Sequence, residues 1–309
     1  MDAETITQTS GAARAARAAQ AGAPCVLLFL ILTITVLTSC RPAGTELGSG
    51  STIQNVGSDT MVNLALAWAE EYAVQSSETS VSISGGGSGT GLAALINGTI
   101  DIANASRSIK TEEIAAAEAN GVTPVEHIVA RDAIAIVVHM DNPVDRLTIH
   151  QLSDLYSGVI TNWREVGGAD RPIVLLSRES NSGTHVFFLE HVVRRGDKLD
   201  KTLFSRDTLL LPSSEGISTE VRQNPNALGY DGLGYVTPDQ KVVAVALDPA
   251  GPFVLPSAES VNDGSYPIAR DRYMYTVDEP VGAVAAYLEW IRGGDAQAIV
   301  AELGFVPLE

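Results

Sequence analysis

Three short loops of this chain carry hydroxyl and glycine residues at a density no turn requires. They are Gly57-Ser58-Asp59-Thr60, the stretch Gly85 to Gly91 (GGGSGTG), and Arg178-Glu179-Ser180-Asn181-Ser182-Gly183-Thr184. Each follows a strand-like run and precedes a helical pattern, so each presents the unpaired N–H groups of a helix start with hydroxyl donors beside them. Ser, Thr and Asp cap helices wherever they occur, and capping accounts for any one loop taken alone. Three loops of one design point instead to a bound anion. The lysine of a nucleotide-binding P-loop is missing, because neither Gly-Lys-Ser nor Gly-Lys-Thr occurs in the chain. Neutral donors converging from three helix starts, with the Arg178 guanidinium as a planar fork, suit a tetrahedral oxyanion.

The elements that must hold these loops alternate in the manner of an α/β protein. Met61, Leu64, Ala65, Trp68 and Tyr72 recur at helical spacing and predict an amphipathic helix over 60–74. Val81 to Ser84 alternates as a strand. Ala133 to His139 (AIAIVVH) is a continuous apolar run, as in a buried parallel strand, and Ile173 to Leu176 is a second such run. A helix over 281–292 is closed by Gly293-Gly294, and a last short helix ends near Leu303-Gly304. Ser213-Ser214-Glu215-Gly216 reads as a cap opening another helix, and Trp163 reads as a packing residue.

The 309 residues carry a net charge of −17, which argues against a nucleic-acid partner, since nothing could neutralise a row of phosphates. Any anion site must then work by local geometry, not by the field of the whole protein. Arg14 and Arg17 precede an apolar run from Val26 to Leu37, too short to span a bilayer and of the right length for a signal-peptide h-region. Leu37-Thr38-Ser39-Cys40 resembles the lipobox of bacterial lipoproteins. The expectation is a signal peptide over 1–39, lipidation (palmitate included) at Cys40 and a flexible tether over 40–50. Cys25 falls inside the leader, so the mature chain keeps one cysteine, and its fold must stand on its core without an internal disulfide. The five histidines do not form a ligand set: His185 and His191 are six apart, off the i, i+4 spacing of a helical metal pair. His185 reads as a cap or core residue. No Gly-x-Ser-x-Gly elbow is present. No metal, no cofactor and no catalytic residue is expected.

Beyond these readings, GSDTM, GGGSGTGLAALINGTIDIANASR, LSDLYSGVITNWREVGG, SRESNSGTH, NALGYDGLGYV and YPIARDRYMYT, taken in order from Ile53 to Pro307, resemble the substrate-binding lipoprotein of the high-affinity phosphate ABC transporter. The resemblance implies a type II periplasmic-binding-protein fold, two α/β lobes joined by crossover strands with the anion in the cleft between them. It puts the crossovers near 130–136 and 267–275, lobe one at 51–132 with 272–309, and lobe two at 133–271. Carried onto this sequence, the ligand set is Ser58, Asp59 and Thr60, then Ser88, Gly89 and Thr90, then Ser106, and from the other lobe Arg178, Ser182, Gly183 and Thr184. Two positions depart from the pattern of some relatives. Ser180 stands where an aspartate would orient the arginine, and Arg107 stands where an aspartate would follow Ser106. Asp59 is left as the acid of the set, suited to accept the proton of monohydrogen phosphate, a proton sulfate lacks. The implied protein is an exported monomer, lipid-anchored to the outer face of the membrane or periplasmic, that binds inorganic phosphate, delivers it to permease subunits and performs no covalent chemistry. Sulfate or molybdate binding, or a phosphohydrolase using the same pocket, are the alternatives; hydrolysis would need a metal cluster or an activated nucleophile.

Overall fold

The computed structural model describes residues 51–308; the expected signal peptide over 1–39, Cys40 and the expected tether to residue 50 lie outside them. Strand β1 (Ser51–Gly57) leads through a 3-10 turn at Asp59–Met61 into helix α1 (Val62–Gln75). Leu64, Ala65, Trp68 and Tyr72 of that helix are buried, the face its periodicity required. β2 (Thr79–Ser84) runs parallel to β1 and ends at the glycine loop, from which α2 (Ser88–Ile96) departs. β3 (Ile102–Ala105) follows, then α3 (Thr111–Ala119) and the long β4 (Pro124–His139).

The rest of the chain continues the alternation: β5 (Arg146–Thr148), α4 (Ile149–Ser157), β6 (Val174–Arg178), α5 (Gly183–Phe188), β7 (Leu209–Leu211), α6 (Ser214–Gln223), β8 (Ala227–Gly232), β9 (Gln240–Ala246) and α7 (Ala258–Asn262). β10 (Ala269–Val277), α8 (Gly282–Ile291) and α9 (Gly294–Glu302) close it. The strands lie in the order β2-β1-β3-β10-β4-β8-β6-β7, with β9 beside β4 and β5.

β4 differs from expectation in direction. It is antiparallel to β10, to β8 and to β9. Its apolar run is nonetheless buried throughout Ala133 to Val138. A continuous apolar run reports cover on both faces of a strand and carries no information about which way its neighbours point.

Three apolar cores among the described residues use this strand: Ala135 and Val137 join Leu176, Ile217 and Val221 in one of them, and the other two lie toward opposite ends of the strand. Ile53, Met61, Leu64, Trp68, Tyr287, Ile291 and Val300 belong to the first of these two. Leu152, Tyr156, Phe188, Tyr230 and Val245 belong to the second. β4 contributes Val129 and Ala130 to the first core and then Ala133, Ile134, Ile136 and Val138 to the second. β10 makes the opposite passage, with Ala269 packed on the second core and Met274 inside the first. The two strands therefore change cores at the same level, where Ala269 pairs with Ala133 and Arg270 with Asp132. Tyr235 packs into the first core although Leu233, two residues before it, packs on the second.

Candidate anion-binding site

The three loops come together at the level where β4 and β10 change cores. Five hydroxyls form a chain: Ser58 Oγ to Thr60 Oγ1 at 2.9 Å, Thr60 to Thr184 Oγ1 at 3.4 Å, Thr184 to Ser106 Oγ at 3.5 Å and Ser106 to Ser88 Oγ at 3.2 Å. All five residues are buried, none more than 3% exposed. Among the described residues none of these hydroxyls donates to a carbonyl or a carboxylate, while Ser88 Oγ also accepts the Ser106 N–H at 3.0 Å. The four contacts can use at most four of the five hydroxyl hydrogens, so at least one buried O–H is left needing an acceptor. Such a cluster fits an anion and repels a cation.

Glycine is what allows the loops to close on one another. A Cβ on Gly183 would lie 2.3 Å from Ser88 Oγ and 2.6 Å from Ser106 Oγ. On Gly87, whose φ is +92°, it would lie 2.8 Å from the Asn181 carbonyl oxygen. The glycine loop is joined to the Asn181 loop by three hydrogen bonds, Gly89 N–H to Asn181 O at 2.9 Å and Asn181 Nδ2 to Gly86 O at 2.8 Å and to Thr90 Oγ1 at 3.5 Å.

Two members of the expected ligand set are thereby turned away. The Gly89 N–H is committed to the Asn181 carbonyl. Thr90 is exposed, and its hydroxyl donates back to the Gly86 carbonyl at 2.7 Å, as helical threonines commonly do. Ser182 is buried at the start of α5 and makes no side-chain cap bond.

Arg178 also stands differently from the expected fork. Its Nε donates to Leu211 O at 3.2 Å, Nη1 to Ser214 Oγ at 2.9 Å and Nη2 to Pro212 O at 2.7 Å. Nη2 lies 3.0 Å from Asp59 Oδ2, which also accepts the Ser214 N–H at 3.0 Å. Three of the five N–H donors of the guanidinium are thus committed to protein, and Asp59 braces it from the opposite loop. Asp59 takes the orienting part that Ser180 lacks the charge to play. It is neither a helix cap nor free in solvent.

The cations that reach the hydroxyl chain are two that sequence reasoning did not assign. Arg272 Nη1 donates to Thr60 Oγ1 at 2.7 Å, and Arg270 Nη2 donates to Thr184 Oγ1 at 3.0 Å. Arg270 Nη1 also holds the Ser106 carbonyl at 2.9 Å. Both guanidinia share one carboxylate, Asp132, through the same oxygen, Oδ2. Burial first, and then the neighbouring Arg272, pull Arg270 down to about 9, with Asp132 opposing. The signal was present in the sequence: in Ala269-Arg270-Asp271-Arg272 the arginines are two apart and so share one face of a strand.

One more carboxyl faces this region. Asp231 on β8 is buried, its Oδ1 accepting the Gly232 N–H at 2.8 Å and its Oδ2 without a hydrogen-bond partner among the described residues. Burial pushes it up to about 6 against the pull of Arg178, Ser214 and the Gly232 N–H. Ser213 caps α6 through the Gly216 N–H at 3.0 Å, as expected, and its neighbour Ser214 is a partner of Arg178. Arg107 is tied to Glu113 at 2.6 Å, outside the hydroxyl chain. His185 packs on Phe204 with Nδ1 3.0 Å from Ser177 Oγ, and Trp163 is buried with Nε1 on the Asn226 carbonyl.

Residues 38–293 match the family described as the PBP superfamily domain. The phosphate-binding protein PstS of Pseudomonas aeruginosa PAO1 is 32% identical over 278 residues, covering 84% of each chain. PstS of Bacillus subtilis 168 is 31% identical over 86% of this chain and 83% of its own. Among solved structures, a protein assigned as a phosphate ABC transporter substrate-binding protein of Clostridium perfringens, crystallised with bound phosphate, superimposes with a TM-score of 0.75. It shares 30% identity and is matched along 100% of its length and 84% of this chain.

Proposed function

The chain belongs to the PBP superfamily, among the PstS phosphate-binding proteins, and from that premise we propose that it captures inorganic phosphate outside the membrane and delivers it to an ABC transporter permease. The observation that carries this reading is the chain of five buried hydroxyls whose donors find no carbonyl or carboxylate among the described residues. Ser58, Thr60, Ser88, Ser106 and Thr184 supply those donors, with Ser182 and Gly183 at the start of α5 completing the wall. Asp59 and Arg178 join the Gly57–Thr60 loop to the loop after β6, so that an anion held between them favours closure of two lobes, 51–132 with 272–309 against 133–271.

Asp59 has a second oxygen available, and an ionised carboxylate only accepts. Monohydrogen phosphate brings a proton to it; sulfate at neutral pH brings none. A buried contact built for one hydrogen-bonding partner can reject the analogue lacking it by about 10⁴–10⁵. The site is one for binding, with no covalent step.

Calorimetric titration of the whole chain with phosphate, sulfate and molybdate tests the reading, beside an assay on a phosphate monoester. Phosphate should bind far more tightly than the other two, with no hydrolysis. Preferential binding of sulfate or molybdate, or turnover of the ester, would sink it. In the same titrations Asp59→Asn should weaken phosphate and narrow the phosphate-to-sulfate ratio, because an amide can donate to a sulfate oxygen; an unchanged ratio moves the proton acceptor elsewhere. For the anchor, the residues Leu37-Thr38-Ser39-Cys40 support cleavage before Cys40 and lipidation of its thiol. Among the described residues no helix is long and apolar enough to cross a membrane. Mass spectrometry of the membrane-extracted protein should find Cys40 as the modified first residue, and Cys40→Ala should release the protein from the membrane.

A further inference from the structure

We propose that Arg270 and Arg272, sharing Asp132, are the residues that make the site select the dianionic form of phosphate, acting through Thr184 and Thr60. The inference rests on the phosphate reading above and concerns which groups supply the charge. Where a guanidinium N–H donates into a threonine Oγ, that hydroxyl must direct its own hydrogen elsewhere. Arg272 does this to Thr60 and Arg270 to Thr184, and the two hydroxyls face each other at 3.4 Å. Both threonines are thereby fixed as donors into the cluster and polarised by the cation behind them.

The charge count favours the same conclusion. Arg178 is matched by Asp59. Arg270 and Arg272 have one carboxylate between them, and all three of these residues are buried. Asp231, the other buried carboxyl nearby, makes no ion pair with either arginine among the described residues; burial pushes it up only to about 6, so it is neutral below that pH and ionised above it. The Arg270–Arg272–Asp132 cluster by itself therefore holds one positive charge more than its direct partner offsets, in a water-poor place, which is costly unless an anion lies against it. Thr60 precedes a helix of the first core and Thr184 lies in a helix of the second, while both arginines sit on the strand that passes between the cores. The charge therefore lies where it can act on both walls of the site at once.

The arginines are positioning residues, so the test must separate charge from architecture. Phosphate affinity of the whole chain is measured by calorimetry at about pH 6, where the monoanion dominates, and at about pH 8, where the dianion does. The wild type should prefer the dianion. Arg272→Gln should lose on the order of 100-fold at the higher pH, the size expected of one charge at intermediate dielectric, and much less at the lower. Arg272→Lys should recover the pH profile without the full affinity. The double variant Asp132→Asn/Arg272→Gln restores the original excess of one positive charge and should regain the dianion preference, and it keeps the test open if Arg272→Gln alone folds poorly. Asp231 ionises near the lower of these pH values, so each variant is also measured on an Asp231→Asn background, where the pH preference that remains belongs to the arginine. Equal losses at both pH values, with Lys no better than Gln and the double variant no better than either, would reduce the arginines to scaffolding. A wild type that binds no phosphate would overturn the functional reading itself, which is a separate outcome.

Discussion

β4 and β10 carry arginine–aspartate contacts on both faces of the same two-stranded ribbon, and the two faces could hardly be used more differently. On one face Arg131 lies 3.7 Å from Asp271, one cation to one anion, with side chains 40% and 35% exposed. On the other, one residue along each strand, Arg270 and Arg272 share Asp132, and none of the three side chains is more than 2% exposed. The residue types are the same and the register is the same. What differs is solvent. An exposed one-to-one pair is screened and nearly neutral in its effect, whereas a buried excess of charge must be organised by hydrogen bonds and suits a partner of opposite sign.

The comparison is broken most severely at Asp132. Asp132→Ala leaves two buried guanidinia facing each other without a carboxylate, and the variant should lose about 3–5 kcal/mol of stability in urea denaturation. A smaller loss would mean that solvent reaches the pair. Asp231→Asn should act in the opposite direction. An ordinary aspartate titrates near 3.9, and burial holds Asp231 at about 6, so the folded chain keeps this proton more tightly than the unfolded one. Below about pH 4 both states hold it and no difference arises. As pH rises through about 6 the folded state must ionise the group in a dry place, and stability falls by roughly 3 kcal/mol. The asparagine variant should therefore be more stable than the wild type at neutral pH and indistinguishable from it below about pH 4, as read from denaturation midpoints across that range.

Gly183→Ala tests whether the inner face depends on the close approach of the loops. Its new Cβ would fall 2.3 Å from Ser88 Oγ, so the loop must back away. A stability loss of about 1–3 kcal/mol is expected, accompanied by loss of phosphate binding in calorimetry. Retained affinity would show that the hydroxyl chain is not the binding surface. The smallest effect belongs to the outer face. Asp271→Ala should cost less than about 1 kcal/mol and leave phosphate affinity unchanged; a large loss of affinity would erase the distinction between the faces.

The anion loops were legible because each is local. Glycines, hydroxyls and the helix that follows them are contiguous in sequence, and helix starts leave donors unpaired whatever surrounds them. Periodicity likewise exposed the buried face of α1 at Leu64, Trp68 and Tyr72, and length exposed β4 as a buried strand. Its direction was not legible, because antiparallel and parallel neighbours bury the same residues. Nor was the part played by Arg178. Its motif is contiguous, but Leu211, Pro212, Ser214 and Asp59, which occupy its donors or brace it, lie tens of residues away or more.

The sequence by itself determined that buried neutral donors would be available in three places, and that the protein's overall negative charge would give an anion no help. Only the tertiary structure decided which cations stand behind those donors. Arg270 and Arg272 share a strand face by alternation alone, as Arg131 and Asp271 share the other. Which face is dry, and that Asp132, Thr60 and Thr184 wait there, depends on two strands changing cores at one level. Burial and ligand contact are properties of segments distant in the chain, and the Coulomb energy of a charge is set by those surroundings, not by its neighbours in sequence.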